Sequence, residues 1–328
     1  MATDSPQLLE HLRTPTLIVA GRQVTFANAA AKALLGGHVI GQDVRIAIRD
    51  PDALGVVLGE GGGTAQVRGL SVGGSLWEVD CRDLGEGERL VSLYDLSVQV
   101  SVARAHADFV ANASHELRTP LAAILGYVET LQDQRAGGDP ATRERFLATI
   151  QHEAKRIQAL VFDLMSLSRI EAGKHEAPSE EVDMVALLRE AVGEFRAGAD
   201  VSFETDCDRA IIAGDRVQMA QLVRNLVENA LKYGKPGGPV RVALEASKTG
   251  WLLVAIKDEG EGIAPEHLLR LTERFYRADT SRSRAAGGTG LGLSIVKHIV
   301  ERHRGRFDIA SRQGEGTTAS IMLPLRKV

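Results

Sequence analysis

Only two cysteines occur in the chain, Cys81 and Cys207, far apart and without a CxxC pair or histidine companions. That excludes a disulfide framework and a zinc site and fits a reducing cytoplasm. No apolar run approaches the roughly 18 residues of a membrane span, and the start, MATDSPQ, has neither a basic n-region nor an apolar h-region. A cytoplasmic protein is therefore expected, with any membrane anchor placed upstream of Met1. A basic surplus is missing too: 39 Lys and Arg against 43 Asp and Glu leave a net charge of −4, no footprint for general nucleic-acid binding. No internal repeat is visible. What is present is ordinary globular material, 44% hydrophobic and 25% charged over 328 residues, enough for two or three domains of about 150 residues.

Up to about residue 98 the chain reads as mixed α/β. Short apolar runs at Thr16–Ala20, Val24–Phe26 and Arg89–Tyr94 alternate with turns such as Gly21-Arg22, the pattern of antiparallel strands. Gly59 and Gly61–Gly63 read as a flexible loop, since no strand leads into them. From Ser101 to about Ala136 Gly and Pro nearly vanish, and Val110, Ala113, Leu117, Leu121, Ile124, Val128 and Leu131 fall at helical spacing. After a polar break at 135–140 a second stripe runs through Phe146, Ile150, Ile157, Leu160, Leu164, Leu167 and Ile170 to Gly173. These make a helical hairpin whose narrow apolar stripes predict pairing with a second copy as a four-helix bundle. Beyond Pro178 the pattern predicts an α/β sandwich, with helices over 215–233 and 291–303 and strands over 240–246, 251–257 and 317–323.

His115 lies roughly 150° from the centre of the first stripe, on the water side, so a core histidine is a poor reading. A lone histidine on a wet face is by default mere surface, but three neighbours set this one apart. Thr119 is one turn on. Glu116 is adjacent, and a carboxylate near an imidazole can hold the Nδ1–H tautomer and leave Nε2 nucleophilic. Pro120 removes the helical donor to the Glu116 carbonyl and is expected to kink the helix. An exposed, oriented imidazole on a bendable helix suits a phosphoryl acceptor.

In the helix over 215–233, Met219, Val223, Leu226 and Ala230 share one face, while Asn225, Asn229 and Lys232 line the other. Asn is a weak helix former, and its amide oxygens beside a Lys suit Mg²⁺ and polyphosphate. The strand over 251–257 runs into Asp258-Glu-Gly260-Glu-Gly262, where the carboxylate can accept from an exocyclic amine beside a flat base. A tight turn explains this stretch equally well. Gly287-Gly-Thr-Gly-Leu-Gly-Leu293 opens a helix whose N-terminal amides suit phosphates, although no GK[ST] follows and the spacing is not a Rossmann fingerprint. The Arg- and Ser-rich stretch from Glu273 to Ala286 is expected to be a mobile lid.

In this order the motifs resemble a two-component sensor histidine kinase over about residues 101–328. His115–Pro120 is similar to its H box, Asn225–Tyr233 to its N box, Asp258–Gly262 and Gly288–Gly292 to its glycine boxes, and Phe275–Arg277 to its F box. The stretch 107–131, with Ile295–His298, is most similar to phosphate-regulon sensor kinases. Those usually carry a membrane segment that this chain does not show. Residues 26–36 resemble part of a PAS sensor domain, without a cysteine motif of the flavin-binding kind.

The resemblance implies a multidomain α+β chain: a PAS-like sensor over 1–98, a dimerisation and histidine phosphotransfer hairpin over 99–175, and a catalytic ATP-binding domain over 176–328. It implies that His115 takes the γ-phosphoryl group of ATP, with Glu116 as polarising base and Thr119 placing water for dephosphorylation of the partner. Asn229 with Asn225 would hold Mg²⁺, and Lys232 and Tyr233 would contact nucleotide. Asp258 would read adenine, Gly260, Gly262, Gly288, Gly290 and Gly292 would shape the pocket, and Phe275 and Arg277 would belong to the lid. The phosphoryl group would pass to an aspartate of a response-regulator receiver domain docked on the hairpin of a homodimer. Two rivals remain. A conformational ATPase of the gyrase type would need a Glu where Asn225 stands, and a non-catalytic scaffold would leave the intact motifs without use.

Overall fold

The computed structural model describes residues 5–59, 61–70, 74–133, 139–173, 176–247, 249–278 and 288–326. The chain divides into two compact units, residues 1–110 and 111–328.

The first unit is built on one antiparallel sheet. After α1 (Ser5–Glu10), β1 (Thr16–Ala20) and β2 (Gln23–Ala27) form a hairpin, followed by α2 (Ala29–Leu35), α3 (Val44–Ala47) and α4 (Pro51–Leu58). Then come β3 (Gly63–Arg68), β4 (Leu76–Gly85) and β5 (Glu88–Asp95), and the strand order is β2-β1-β5-β4-β3. The core combines inward sheet residues (Leu17, Val19, Val79, Val91, Leu93) with helix residues (Ala31, Val44, Ala53, Val57). Each of these leucines and valines contributes about 1.5–3 kcal/mol on full burial. Asn28 ties the unit together. Fully buried, it caps α2 through the Ala31 amide, accepts from Thr16 N–H, and donates to the carbonyls of Leu9, Leu12 and Thr14. The glycines around 61 sit at the start of β3, and Gly59 is the C-cap of α4.

α5 (Ser97–Gln132) and α6 (Pro140–Ala172) are the two long helices. α5 continues without a break through Pro120, which is buried, and α6 starts on an Asp139 cap with Pro140 in its first turn and ends at Gly173. Tyr127 and Phe146 stack near the loop end with ring centroids 5.0 Å apart. The C-terminal half of α6 is buried through Leu160, Leu167 and Ile170. Leu121, Leu125, Leu147, Phe162 and Met165 stay at least half exposed on the single chain.

The C-terminal sandwich contains β6 (Glu180–Asp183), α7 (Met184–Phe195), β7 (Val201–Thr205), β8 (Ile211–Gly214) and α8 (Arg216–Tyr233). It continues with β9 (Val240–Ala246), β10 (Trp251–Asp258), α9 (Pro265–Leu268), α10 (Gly292–Arg302), β11 (Arg306–Arg312) and β12 (Gly316–Pro324). The main sheet runs β11-β12-β10-β9-β7, with β7 parallel to β9, and β6 pairs with β8 apart from it. The sequence pattern misses β6, β7, β8 and β11. The first and third have four residues each, too few for a periodic signal. Among the described residues no helix is long and apolar enough to cross a membrane.

His303 joins α10 to the start of α8. It is 3% exposed; Nδ1 lies 2.7 Å from the Ile299 carbonyl, and Nε2 accepts the Asp215 amide at 3.0 Å. Burial pushes its pKa below the usual 6.5. As pH falls through about 6.5 the unfolded chain takes up a proton that the folded one refuses, so stability is full above that range and is lost on acidification. Thermal melts of the wild type and His303→Gln at pH 8 and pH 5.5 are expected to show a larger acid-induced drop in Tm for the wild type. Equal drops would overturn this account of His303.

Candidate active site

α8 begins because Asp215 accepts the amides of Val217 and Gln218, and it ends at Gly234. Met219, Leu222, Val223, Leu226, Val227 and Ala230 are buried on one face. That fixes the rotation of the helix and turns Asn225, Asn229 and Lys232 to the other. Asn225 Nδ2 donates to the Gly292 carbonyl at 3.3 Å. A Cβ on Gly292 would sit 3.9 Å from both the Asn225 Cγ and the Asn229 Nδ2, so both amides face the first turn of α10. Lys232 Nζ lies 4.9 Å from the centre of the Tyr233 ring, and a Cβ on Gly288 would be 2.4 Å from that ammonium. A side chain at position 288 would push that ammonium aside.

Asp258 ends β10 and is 7% exposed. Its Oδ1 accepts the amides of Gly260 at 2.8 Å and Thr317 at 3.3 Å, one donor from the turn after β10 and one from β12. Burial raises its pKa, against those hydrogen bonds. Gly262 has φ +68, and a Cβ there would lie 2.0 Å from the Arg312 carbonyl, so only glycine fits this turn.

The loop before α10 is locked to the F-box segment. Phe275, itself at φ +63, donates its amide to the Gly290 carbonyl at 2.9 Å. Gly290 is at φ +73, and its Cβ would lie 2.9 Å from the Phe275 backbone. Tyr276 Oη is 2.7 Å from His267 Nδ1. Arg277, its side chain 8% exposed, donates to the Gly288 carbonyl and reaches Glu116 at 3.4 Å. The expected lid thus has an anchored start at 273–278, and its remainder, 279–286, lies outside the described residues. α10 starts at Gly292 without a side-chain cap, which leaves its first-turn amides for an anionic group.

On the hairpin, His115 and Thr119 are exposed, and the Thr119 hydroxyl donates to the His115 carbonyl at 3.3 Å. Glu116 Oε2 accepts from Arg156 at 3.1 Å and from Arg277 at 3.4 Å. Asp163 of α6 accepts from the Thr289 hydroxyl at 2.8 Å, and burial raises its pKa. Arg274 pairs with Glu171.

One cavity of about 1150 Å³ collects Asn225, Asn229, Lys232, Tyr233, Gly262, Arg277 and the glycines 288, 290 and 292, with Phe162 and Asp163 of α6 also on its wall. His115, Glu116, Thr119, Gly260 and Phe275 do not line it. Asp258 lies on a smaller cavity of about 350 Å³ with Gly234 and Lys235. The sequence pattern does not single out Asp163, Thr289 or Arg156, although Thr289 sits inside the glycine loop and Asp163 is a lone charge between Phe162 and Leu164 in an apolar stretch.

Among the described residues no group of three His, Cys, Asp or Glu could hold a metal by itself. The paired amides of Asn225 and Asn229 beside an uncapped helix start fit Mg²⁺ shared with phosphates, a hard cation that keeps few protein ligands.

Residues 105–173 match the His Kinase A (phospho-acceptor) domain family, and residues 214–327 match the histidine kinase-, DNA gyrase B- and HSP90-like ATPase family. The chain is 40% identical over 238 residues to the phosphate regulon sensor protein PhoR of Pseudomonas aeruginosa, covering 71% of this chain and 53% of that protein. It is 36% identical over 245 residues to the sensor protein SrrB of Staphylococcus aureus, covering 73% and 42%. It therefore spans about half the length of these relatives. The histidine kinase AdeS of Acinetobacter baumannii aligns at 25% identity and a TM-score of 0.51, over 65% of this chain and 98% of that one. Histidine kinase ThkA, solved in complex with response regulator protein TrrA, has the same fold over 98% of both chains, at 20% identity and a TM-score of 0.56.

Proposed function

The chain belongs to the two-component sensor histidine kinases, and from that premise we propose that it transfers the γ-phosphoryl group of ATP to His115 and then to an aspartate of a response-regulator receiver domain. The observation that carries this reading is the cavity joining the amides of α8, the glycine loop and the start of α10, in one compact unit with an exposed imidazole on α5.

His115 Nε2 is the attacking atom: the Nε2–phosphorus bond forms as the bond from γ-phosphorus to the bridging oxygen breaks, and ADP leaves with the electron pair. The proton on Nδ1, now acidic, is taken by Glu116. Lys232 and the first-turn amides of α10 hold the phosphates, and Arg277 covers them from the lid. Asp258 accepts a hydrogen bond from the adenine amine with the carboxylate oxygen that its main-chain donors leave over. Mg²⁺ held by Asn229 with Asn225 would neutralise phosphate charge. Because His115 does not line the cavity, transfer requires the sandwich to move along the hairpin.

The half-exposed apolar residues of α5 and α6 support a homodimeric four-helix bundle, and ThkA's complex with a response regulator supports a receiver domain as the partner, which in this reading docks on the hairpin. Thr119, exposed one turn from His115, places water when the partner is dephosphorylated. The domains are a PAS-like sensor over 1–98, the hairpin over 99–175 and the ATP-binding domain over 176–328; the antiparallel α/β build of the first unit supports the sensor assignment.

Incubated with Mg²⁺ and γ-labelled ATP, the protein is expected to acquire an acid-labile, alkali-stable label that chases onto one receiver domain of its source genome. Release of inorganic phosphate without a protein-bound label would favour a conformational ATPase instead.

A further inference from the structure

Glu116 shares one oxygen, Oε2, between two guanidinium groups: Arg156 at 3.1 Å and Arg277 at 3.4 Å. The two differ in what they move with. Arg277 belongs to the sandwich and also bonds the Gly288 carbonyl, so any travel of that domain takes it away from the hairpin. Arg156 lies on α6, inside the same helical hairpin as Glu116, and stays beside it. It is held from both sides, with Nη1 3.6 Å from Glu153 Oε2 one turn back, and its side chain is 14% exposed. The guanidinium bridges two carboxylates with one nitrogen on each, which restricts its rotamers and keeps a donor at Glu116 Oε2. With Oε2 taken, Oε1 is the oxygen left for the imidazole on α5.

We propose that Arg156 is a positioning residue for phosphoryl transfer: it holds the Glu116 carboxylate so that Oε1 is presented to His115 Nδ1–H while Nε2 attacks. The inference rests on the reading of Glu116 as the base. It assigns a role to a residue that touches neither nucleotide nor the phosphoryl group. The ordinary alternative is an interhelical ion pair that only fastens the hairpin, a contact that contributes little to stability when partly exposed.

A double-mutant cycle separates the two. Full-length wild type, Arg156→Gln, Arg156→Lys, Glu116→Gln and the Arg156→Gln/Glu116→Gln double variant are assayed for autophosphorylation at saturating Mg-ATP. The KM for ATP, the Kd for a non-hydrolysable ATP analogue and the melting temperature are measured in parallel. Arg156→Gln is expected to lower kcat by about tenfold to a hundredfold, with KM and analogue Kd unchanged. Arg156→Lys should recover part of the rate, since it keeps the charge but loses the guanidinium bridge. In the Glu116→Gln background the Arg156→Gln step should cost nothing further, because Arg156 acts through that carboxylate. A purely structural pair would couple in the melting temperature and leave kcat at the wild-type value in Arg156→Gln; that outcome overturns the proposal, as does a kcat cycle that is additive. Should Arg156→Gln fail to fold, Arg156→Lys decides, alone and on Glu116→Gln: a kcat defect confined to the Glu116 background upholds the proposal and its absence overturns it. A wild-type rate in Glu116→Gln removes the base assignment and this inference with it. Loss of rate in Glu116→Gln with an indifferent Arg156 removes this inference alone.

Discussion

His115→Gln is expected to reduce the acid-labile phosphoryl label to background, a fall of at least about a thousandfold, while folding, dimer mass and ATP affinity stay as in the wild type. The size follows from chemistry: an amide nitrogen in Gln is not a nucleophile, so the acceptor itself is removed rather than weakened. Unchanged binding follows from position. His115 is exposed on α5 and does not line the cavity, and a substitution on a wet helix face away from caps and core shifts stability by about half a kcal/mol at most. Labelling with γ-labelled ATP, followed by acid and alkali treatment, gives the answer. A label that persists in His115→Gln relocates the acceptor and removes the transfer scheme.

Asn229→Ala is the second large effect. Autophosphorylation is expected to fall by about two to three orders of magnitude, the cost of losing one preorganised group that stabilises transferring charge. The dimer, measured by light scattering, should persist, since Asn229 faces the first turn of α10 and the apolar face that seats α8 on the sheet is untouched. Analogue binding offers a readout apart from turnover: the gain in affinity on adding Mg²⁺ should shrink in Asn229→Ala and remain in the wild type. A normal labelling rate would show that the metal is held elsewhere.

Local pattern accounts for the parts that were legible. The steps of three and four between Leu117, Leu121, Ile124 and Val128 placed α5, and the one-sided apolar set of α8 placed its Asn face. The run from Trp251 put Asp258 at a strand end, where the structure has it. Pairings between distant residues escaped, because each partner taken alone resembles solvated surface. Arg156 and Glu116 stand 40 positions apart, and Arg277 and Glu116 stand 161 apart. Asp163 is marked locally only as a lone charge among apolar neighbours, which does not say what it meets, so the Thr289–Asp163 contact needed the folded chain. Short strands were missed for the same reason: β6 and β8 form a two-stranded sheet of their own, and four residues hold too few alternations to rise above chance.

Among the described residues, the carboxylate of Asp258 is clamped by the peptide amides of Gly260 and Thr317 and by no side chain. Neighbouring side chains can therefore drift in evolution without disarming it, because every residue but proline brings the same donor. What cannot drift is the room around it: a methyl at Gly260 would strike the Tyr233 carbonyl at 2.4 Å, and one at Gly316 would strike the Asp258 carbonyl at 2.1 Å. At this end of the site, heritable constraint falls on the absence of side chains.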